Sequence, residues 1–446
     1  MGTYTYFCFL SAISILLGFI TRKISDKIQS TIAITAAAMV GSLLLILMGS
    51  LGLFDIDVIA KNVMQQIDFK SLLLDGMLGF LLFAGALGIK LPVLKDQKWE
   101  IAIFALFSTL ASTFFIGSLI FLASHLIGLP IPFIYCLLFG SLISPTDPIA
   151  VLAIIKNLRA PKRLSMQVEG ESLFNDGVGL VVFITIFTIA FNGHTATFGN
   201  VMSLFLHEAM GGILFGFLLG LAAHLLISST DDGSLEILLT LTIPTAGFLL
   251  ANMFHVSGAL AMVVSGIMVG NWTRHSGFSE QSQRYLDHFW EMIDHFLNSL
   301  LFFLIGFALL LIDFTVKGLI MMLLAIPICL GARYVSLWIP YSVLKYFRTY
   351  NPYTLKIMTW GGLRGGLALA MALSIPAKTV FIDNVDVKDI ILVMTYAVVV
   401  FSILVQGVTI EKMIKKSKLV DPNKEEYLTP SSHFDLTNQT YKSEVK

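Results

Sequence analysis

Apolar residues fill most of this chain in long blocks that short polar stretches separate. A run of about 20 apolar residues is long enough to cross a bilayer as a helix. The pattern therefore predicts an all-α polytopic membrane protein with about thirteen transmembrane helices. The ninth block is short, which predicts a half-buried or tilted helix. The blocks cover roughly residues 4–20, 31–53, 71–89, 100–127, 131–155, 164–191, 201–228, 235–253, 256–271, 289–312, 317–344, 353–376 and 389–410.

Lys and Arg residues predict the orientation, because they concentrate in cytoplasmic loops. With the N-terminus outside, 22 of the 29 Lys and Arg residues lie in inner loops and the tail, and five lie outside. The other two, Arg333 and Arg364, lie inside predicted spans. We therefore expect an outer N-terminus, a cytoplasmic C-terminus and an odd number of spans. The amphipathic stretch 274–288 is predicted to lie along the inner interface, and the polar tail after residue 420 to be disordered.

Composition agrees with a membrane protein and argues against other classes. Hydrophobic residues make up 56% of the chain, charged residues 13%, and the mean hydropathy is +0.83. Such a sequence is typical of membrane spans. The formal net charge is zero, so no basic patch predicts a nucleic-acid partner. The three cysteines form no spaced pair and the nine histidines have no ligand spacing. We therefore predict neither an enzyme nor a bound cofactor.

Ionisable residues inside spans are costly and mark functional sites. We find them concentrated in four predicted spans. The fifth contains Asp147 within SPTDP (144–148), and the sixth contains EGESLFNDG (169–177). The eleventh contains Arg333, and the twelfth contains Arg364 within GGLRGG (361–366). These four segments are the candidates for a site inside the membrane.

The fifth and twelfth spans both carry helix-breaking residues. Pro145 and Pro148 flank Asp147, and each proline removes a backbone donor. Glycines weaken the twelfth span at four positions, namely Gly361, Gly362, Gly365 and Gly366. The two spans cross the membrane in opposite directions, as interrupted helices of inverted repeats do around a transporter's binding site. The alternatives are a kinked helix capped by Thr146 and Asp147, and close helix packing through small residues.

The sixth span supplies the candidate chemistry. Ser172 and Asp176 are four residues apart and share one helix face, near the middle of the span. A buried carboxyl group resists carrying an isolated charge, so it binds either a proton or a cation. Asp176 is therefore predicted to hold both ions in turn. Alternatively, Asp176 makes a helix-packing hydrogen bond, Ser172 is an ordinary packing residue and Glu169 is merely interfacial.

Glu171 lies next to Ser172 in the same span and needs a positive partner if it stays ionised in the membrane. Arg333 and Arg364 are the two candidates from inside predicted spans. We interpret Glu171 as a structural support of the site rather than as the exchanged carboxylate.

SPTDP, GESLFND (170–176), ARYVSLW (332–338) and GGLRGG together resemble the sodium/hydrogen exchanger family of the cation:proton antiporter-1 superfamily, of the bacterial NhaP type. The similarity extends from the third to the thirteenth span. It implies electroneutral Na⁺/H⁺ exchange with Asp176, next to Asn175, as the shared ion site. It also implies a helix-bridging ion pair between Glu171 and Arg333. Further Na⁺-binding roles are implied for Thr146, Asp147 and Ser172.

The same resemblance implies a homodimer in the bacterial inner membrane, in contact with lipid, whose six-helix transport core moves against a dimerisation domain. The core is expected at 96–191 (spans 4–6) and 313–411 (spans 11–13). The dimerisation side is expected at 1–95 (spans 1–3) and 192–312 (spans 7–10), and a short cytoplasmic tail at 412–446. One position departs from the family, because Ala84 stands where many relatives carry a glutamate near the ion path. That departure leaves the preference among Na⁺, Li⁺ and K⁺ open.

The function expected from these observations is secondary active Na⁺/H⁺ antiport by alternating access. A K⁺/H⁺ antiporter is one alternative. A cation channel is another, but a channel needs a file of carbonyls or charged rings, and no segment repeats as such a filter.

Overall fold

A computed structural model describes residues 3–24, 29–51, 68–158, 162–191, 197–312, 315–348, 350–377, 380–382 and 385–419. Helices dominate these residues, and a two-stranded antiparallel hairpin, β1 (Phe381–Ile382) and β2 (Val385–Asp386), is the exception. The tail after residue 420, which the sequence predicts to be disordered, lies outside the described residues.

The predicted apolar blocks all coincide with helices. The first eight helices are α1 (Thr3–Ile24), α2 (Ser30–Ser50), α3 (Lys70–Gly88), α4 (Leu91–Asp96), α5 (Lys98–Leu126), α6 (Phe133–Ile143), α7 (Ile149–Asn157) and α8 (Lys162–Phe191). The remaining nine are α9 (Phe198–Ile227), α10 (Gly233–Met253), α11 (Gly258–Met268), α12 (Glu280–Phe307), α13 (Val316–Leu344), α14 (Thr354–Trp360), α15 (Gly366–Leu373), α16 (Val387–Phe401) and α17 (Gly407–Leu419).

Within the described ranges, nine helices are long and apolar enough to cross a membrane alone. The fifth and twelfth blocks each contain two short helices, α6 with α7 and α14 with α15. The fold class is therefore the one predicted, a polytopic helical membrane protein. The number of segments that cross the bilayer remains a prediction.

The stretch 274–288 does not form a helix of its own, and its place along the inner interface remains a prediction. Residues 280–288 instead form the first turns of α12, which continues unbroken to Phe307. Ser279 caps this helix by accepting from the Ser282 N–H at 3.4 Å, and the buried Glu236 carboxylate accepts from the Ser279 N–H at 2.9 Å. The cap and the absence of a helix breaker explain why one helix continues through both regions.

The helices pack as two sets with a shared boundary. One set contains α5, α6, α8, α13 and α16, and the other contains α2, α3, α9, α11 and α12. The sets meet where α8 packs on α9 and α11, and where α15 packs on α12. Both short-helix pairs belong to the first set, and α15 brings the second pair to this boundary.

A charged cluster connects the ends of three segments in the first set. The buried Glu100 of α5 binds Arg163 of α8 at 2.7 Å and approaches Arg348, after α13, at 3.6 Å. The Arg163 guanidinium also lies over the Tyr350 ring at 5.5 Å. The cluster fixes the start of α8, the helix that carries the candidate ion site.

Candidate functional site

Two helix interruptions meet in the first set of helices. Helix α6 ends at Ile143 and α7 begins at Ile149, while α14 ends at Trp360 and α15 begins at Gly366. Asp147 and Leu363 pair as an antiparallel bridge, in which the Asp147 N–H donates to the Leu363 carbonyl at 2.8 Å. Non-helical backbone at this depth needs partners inside the protein, and each interruption supplies one to the other.

Arg364 satisfies the carbonyls that the α6 interruption leaves exposed. Its guanidinium donates to the carbonyls of Ser144 and Pro145, and its backbone N–H donates to Ser402 Oγ at 3.0 Å. The last carbonyls of a helix carry partial negative charge, so the guanidinium is well placed there. This contact places a fixed positive charge between the two interruptions.

Gly365 gives Asp147 the space it occupies. A Cβ atom at position 365 would overlap the Asp147 carboxylate, so any larger residue would displace one of the two. Asp147 also caps α7, because its Oδ1 accepts from the Ile149 N–H at 2.9 Å. The glycine-rich segment therefore interrupts the helix and also allows Asp147 to approach its backbone closely.

Asn175 joins helix α8 to the α6 interruption through hydrogen bonds to Thr146. The side-chain oxygen of Asn175 accepts from the Thr146 N–H at 3.1 Å, and its amide nitrogen donates to Thr146 Oγ1 at 2.8 Å and to Glu171 Oε1 at 3.1 Å. Ser172 Oγ lies 3.0 Å from Thr146 Oγ1. All four side chains are buried. Every polar group of this cluster has a partner, which fixes α8 in rotation and height against the interruption.

Glu171 and Arg333 form a buried ion pair between α8 and α13. Two nitrogens of the Arg333 guanidinium lie 2.7 Å from the two carboxylate oxygens of Glu171. Arg333 is 1% exposed and Glu171 2%, so water screens neither charge. The structure thus places Arg333 rather than Arg364 beside Glu171, where the sequence alone left both open.

Asp176 lies one turn beyond Ser172 and differs from its neighbours. It is half-buried, as is Asp147, although the adjacent Asn175 is fully buried. Among the described residues, no hydrogen-bond donor contacts its carboxylate. The charges of Asp147, Glu171 and Arg364 act on it. A carboxylate that is partly exposed, and whose polar neighbours are held in place by hydrogen bonds, is suited to bind and release a small cation.

Sequence reasoning missed two polar residues that face this region. Asp294 and Asn298 are one turn apart on α12, in the second set of helices. Asp294 adds a charged residue in a fifth predicted span, because it lies in the middle of a long apolar helix. The available signal was a pair of polar residues at i and i+4 within the tenth apolar block.

Ala84, at the position of the family glutamate, is half-buried on α3 and supplies no ligand atom. Glu169 is also half-buried, two turns before Asp176 on α8 and opposite Gly88 of α3.

Comparison with known proteins gives a consistent result. The sequence model of the family described as sodium/hydrogen exchanger, transmembrane, matches residues 5–416. The chain is 40% identical over 394 residues to the Na⁺/H⁺ antiporter NhaP of Pseudomonas aeruginosa, covering 87% of this chain and 91% of that protein. It is 33% identical to the Na⁺/H⁺ antiporter NhaH of Halobacillus aidingensis, covering 79% of this chain and 85% of the relative.

A solved structure supports the fold independently. The sodium proton antiporter MjNhaP1 of Methanocaldococcus jannaschii superimposes with a TM-score of 0.72, covering 93% of this chain and 99% of that one. At 18% identity, this likeness concerns the fold.

Proposed function

This chain belongs to the sodium/hydrogen exchanger family, and we propose that it exchanges Na⁺ for H⁺ through one site at Asp176, which the two ions occupy in turn. The observation that carries the proposal is the state of the Asp176 carboxylate. It is half-buried in the middle of a 30-residue helix and has no hydrogen-bond donor among the described residues, while the polar groups around it are paired with one another.

Oxygen atoms suited to a hard monovalent cation surround this position. The Asp176 carboxylate supplies the charge, and Asp147 supplies a second carboxylate. Ser172, which shares a face of α8 with Asp176, and Thr146 add two hydroxyl oxygens that lie 3.0 Å apart. Interrupted helices offer such oxygen ligands to Na⁺ in other transporters. Asn175 has a positioning role, because its amide is committed to Thr146 and Glu171.

The charge balance of the site favours electroneutral exchange. Three carboxylates, those of Asp147, Glu171 and Asp176, lie beside two guanidinium groups, Arg333 and Arg364. With all five ionised, the site carries one net negative charge. One Na⁺ or one H⁺ neutralises it. The occupied site is then uncharged in either case, which lowers the cost of moving it through the membrane.

Alternating access fits the arrangement of the helices. The first set carries both interruptions and Asp176, and it meets the second set along α8 and α15. We propose that the first set, within 96–191 and 313–411, moves as the transport core against the second. A homodimer joined through the second set, in a bacterial inner membrane with its C-terminus in the cytoplasm, completes the proposal.

The test is exchange in proteoliposomes that hold a proton gradient reported by a pH-sensitive dye. Adding Na⁺ should collapse the gradient with the wild-type protein and leave it intact with Asp176→Asn, because asparagine cannot be deprotonated. A matched control is Asp231→Asn, which removes an exposed carboxylate from the loop before α10. This control should exchange normally.

Na⁺-dependent proton flux in a folded Asp176→Asn protein would refute the shared site. Gel filtration and thermal unfolding show whether the variant is folded. Repeating the assay with K⁺ and Li⁺ measures selectivity and tests the K⁺/H⁺ alternative.

A further inference from the structure

Asn298 is a buried polar residue that the exchange mechanism leaves without a role. Its side chain is 2% exposed, and neither its amide oxygen nor its amide nitrogen has a hydrogen-bond partner among the described residues. An unpaired buried amide is costly, and a leucine of similar size would avoid the cost. The amide therefore needs an explanation beyond packing.

The position of Asn298 on α12 shows what it faces. Asp294, Asn298 and Leu301 follow one another at i, i+4 and i+7, which places them within about 60° of arc on one helix face. Leu301 packs directly on Gly366, the first residue of α15, so closely that a Cβ on that glycine would overlap it. The face therefore points at the interrupted twelfth span.

The other end of this face carries a charge that acts on the α6 interruption. The charge of Asp294 acts on Asp147, whose carboxylate packs on Gly365 beside Gly366. Asn298 lies between Asp294 and Leu301 along the helix, so helical periodicity places it on the face that meets this junction. A carboxylate and an amide from the second set of helices thus oppose the two interruptions of the first set.

We propose that Asp294 and Asn298 form a second binding site for a monovalent cation, across the boundary from Asp147 and Asp176. The carboxylate would attract the cation and the amide oxygen would replace part of its hydration shell. The proposal rests on the exchange function proposed above and extends it. A cation held between the two sets of helices would be transferred to Asp176 by a short step, without leaving the protein.

Na⁺ titration of the exchange rate tests the site. We compare the wild type with Asp294→Asn and Asn298→Leu at fixed pH in proteoliposomes. Glu291→Gln is the matched control, because Glu291 lies on the same helix with a side chain that is 64% exposed. Even at about 6 Å in water, loss of one unit charge weakens cation binding about threefold, and a carboxylate that contacts the cation contributes more.

Asp294→Asn should therefore raise the half-saturating Na⁺ concentration about threefold or more, with little change in the maximal rate. Asn298→Leu should act in the same direction, and the control should match the wild type. A packing role for Asn298 predicts the opposite pattern, a changed unfolding temperature with an unchanged half-saturating concentration. That pattern, or an unchanged half-saturating concentration in both variants, would overturn the proposal.

Direct binding separates this proposal from the shared site at Asp176. In the Asp176→Asn protein, NaCl should still raise the unfolding temperature relative to choline chloride, and adding Asp294→Asn should remove that effect. If Asp176→Asn still exchanges ions, the shared site is wrong. If it is inactive and shows either no Na⁺ protection or protection independent of Asp294, the second site is wrong.

Discussion

The buried pair of Glu171 and Arg333 should behave as one energetic unit. Both side chains are almost fully buried, and two nitrogen–oxygen contacts of 2.7 Å join them. Removing one partner leaves the other charge inside the protein with weak replacement contacts. Without Glu171, Arg333 keeps a bond of 3.4 Å to the Met358 carbonyl, and without Arg333, Glu171 keeps Asn175 at 3.1 Å.

The size of the effect follows from burial. Removing one partner of a buried ion pair costs about 3–5 kcal/mol, whereas replacing both with neutral groups costs far less. We expect Glu171→Gln and Arg333→Met each to destabilise the protein by that amount. The double variant should cost less than the sum by at least about 2 kcal/mol, well above the error of additivity of about 0.5 kcal/mol.

Thermal unfolding in detergent, followed with a thiol-reactive dye, provides the assay. Cys136 and Cys329 are buried and become reactive on unfolding, whereas the exposed Cys8 gives a constant background. The matched control is the exposed pair of Glu411 and Lys415 at 2.6 Å on α17. An exposed pair four residues apart contributes only about 0.3–0.5 kcal/mol. Strict additivity of the two core substitutions would refute the coupling.

Three further predictions follow from the site. Exchange should be electroneutral, since Asn175 cannot carry a second proton; uptake driven by an imposed membrane potential would contradict this. The exchange rate should have a bell-shaped pH dependence, because Asp176 must lose a proton to bind Na⁺ and must bind a proton again for the return step. Tenfold more Na⁺ should move its acid limb to lower pH by up to about one pH unit, and a fixed limb would show that the ions do not compete. Gly365→Ala should abolish exchange by displacing Asp147, whereas Gly331→Ala, where a methyl group meets no neighbour within 4 Å, should be active.

The sequence was sufficient to predict the fold class, because membrane helices can be recognised from their length and hydropathy. It also identified the segments that meet in the site, since prolines and glycines at membrane depth are informative. The partner of Glu171 was not predictable in the same way. Arg333 and Arg364 are both buried arginines in apolar helices, and only the rotation of α13 and α14 against α8 decides which one lies beside Glu171.

The role of Asn175 shows a second limit of sequence reasoning. Helical periodicity places Asn175 on the face of Glu171, and the structure agrees, with a bond of 3.1 Å between them. Periodicity gives no information about what the interrupted backbone of α6 presents to that face. The bond between the Asn175 side chain and the Thr146 N–H exists only because α6 ends at Ile143 and frees that donor.

Asp294 and Asn298 escaped prediction for a related physical reason. Scanning for helix breakers and clustered charges selects segments that disturb a helix, and α12 is regular throughout. In the mechanism that we propose, an ion passes between the two sets of helices, so polar groups are expected on both sides of their boundary. A regular helix such as α12 carries no backbone signal of such a role. Asn298 can be recognised because it is buried with no hydrogen-bond partner among the described residues, a property that depends on the packed structure.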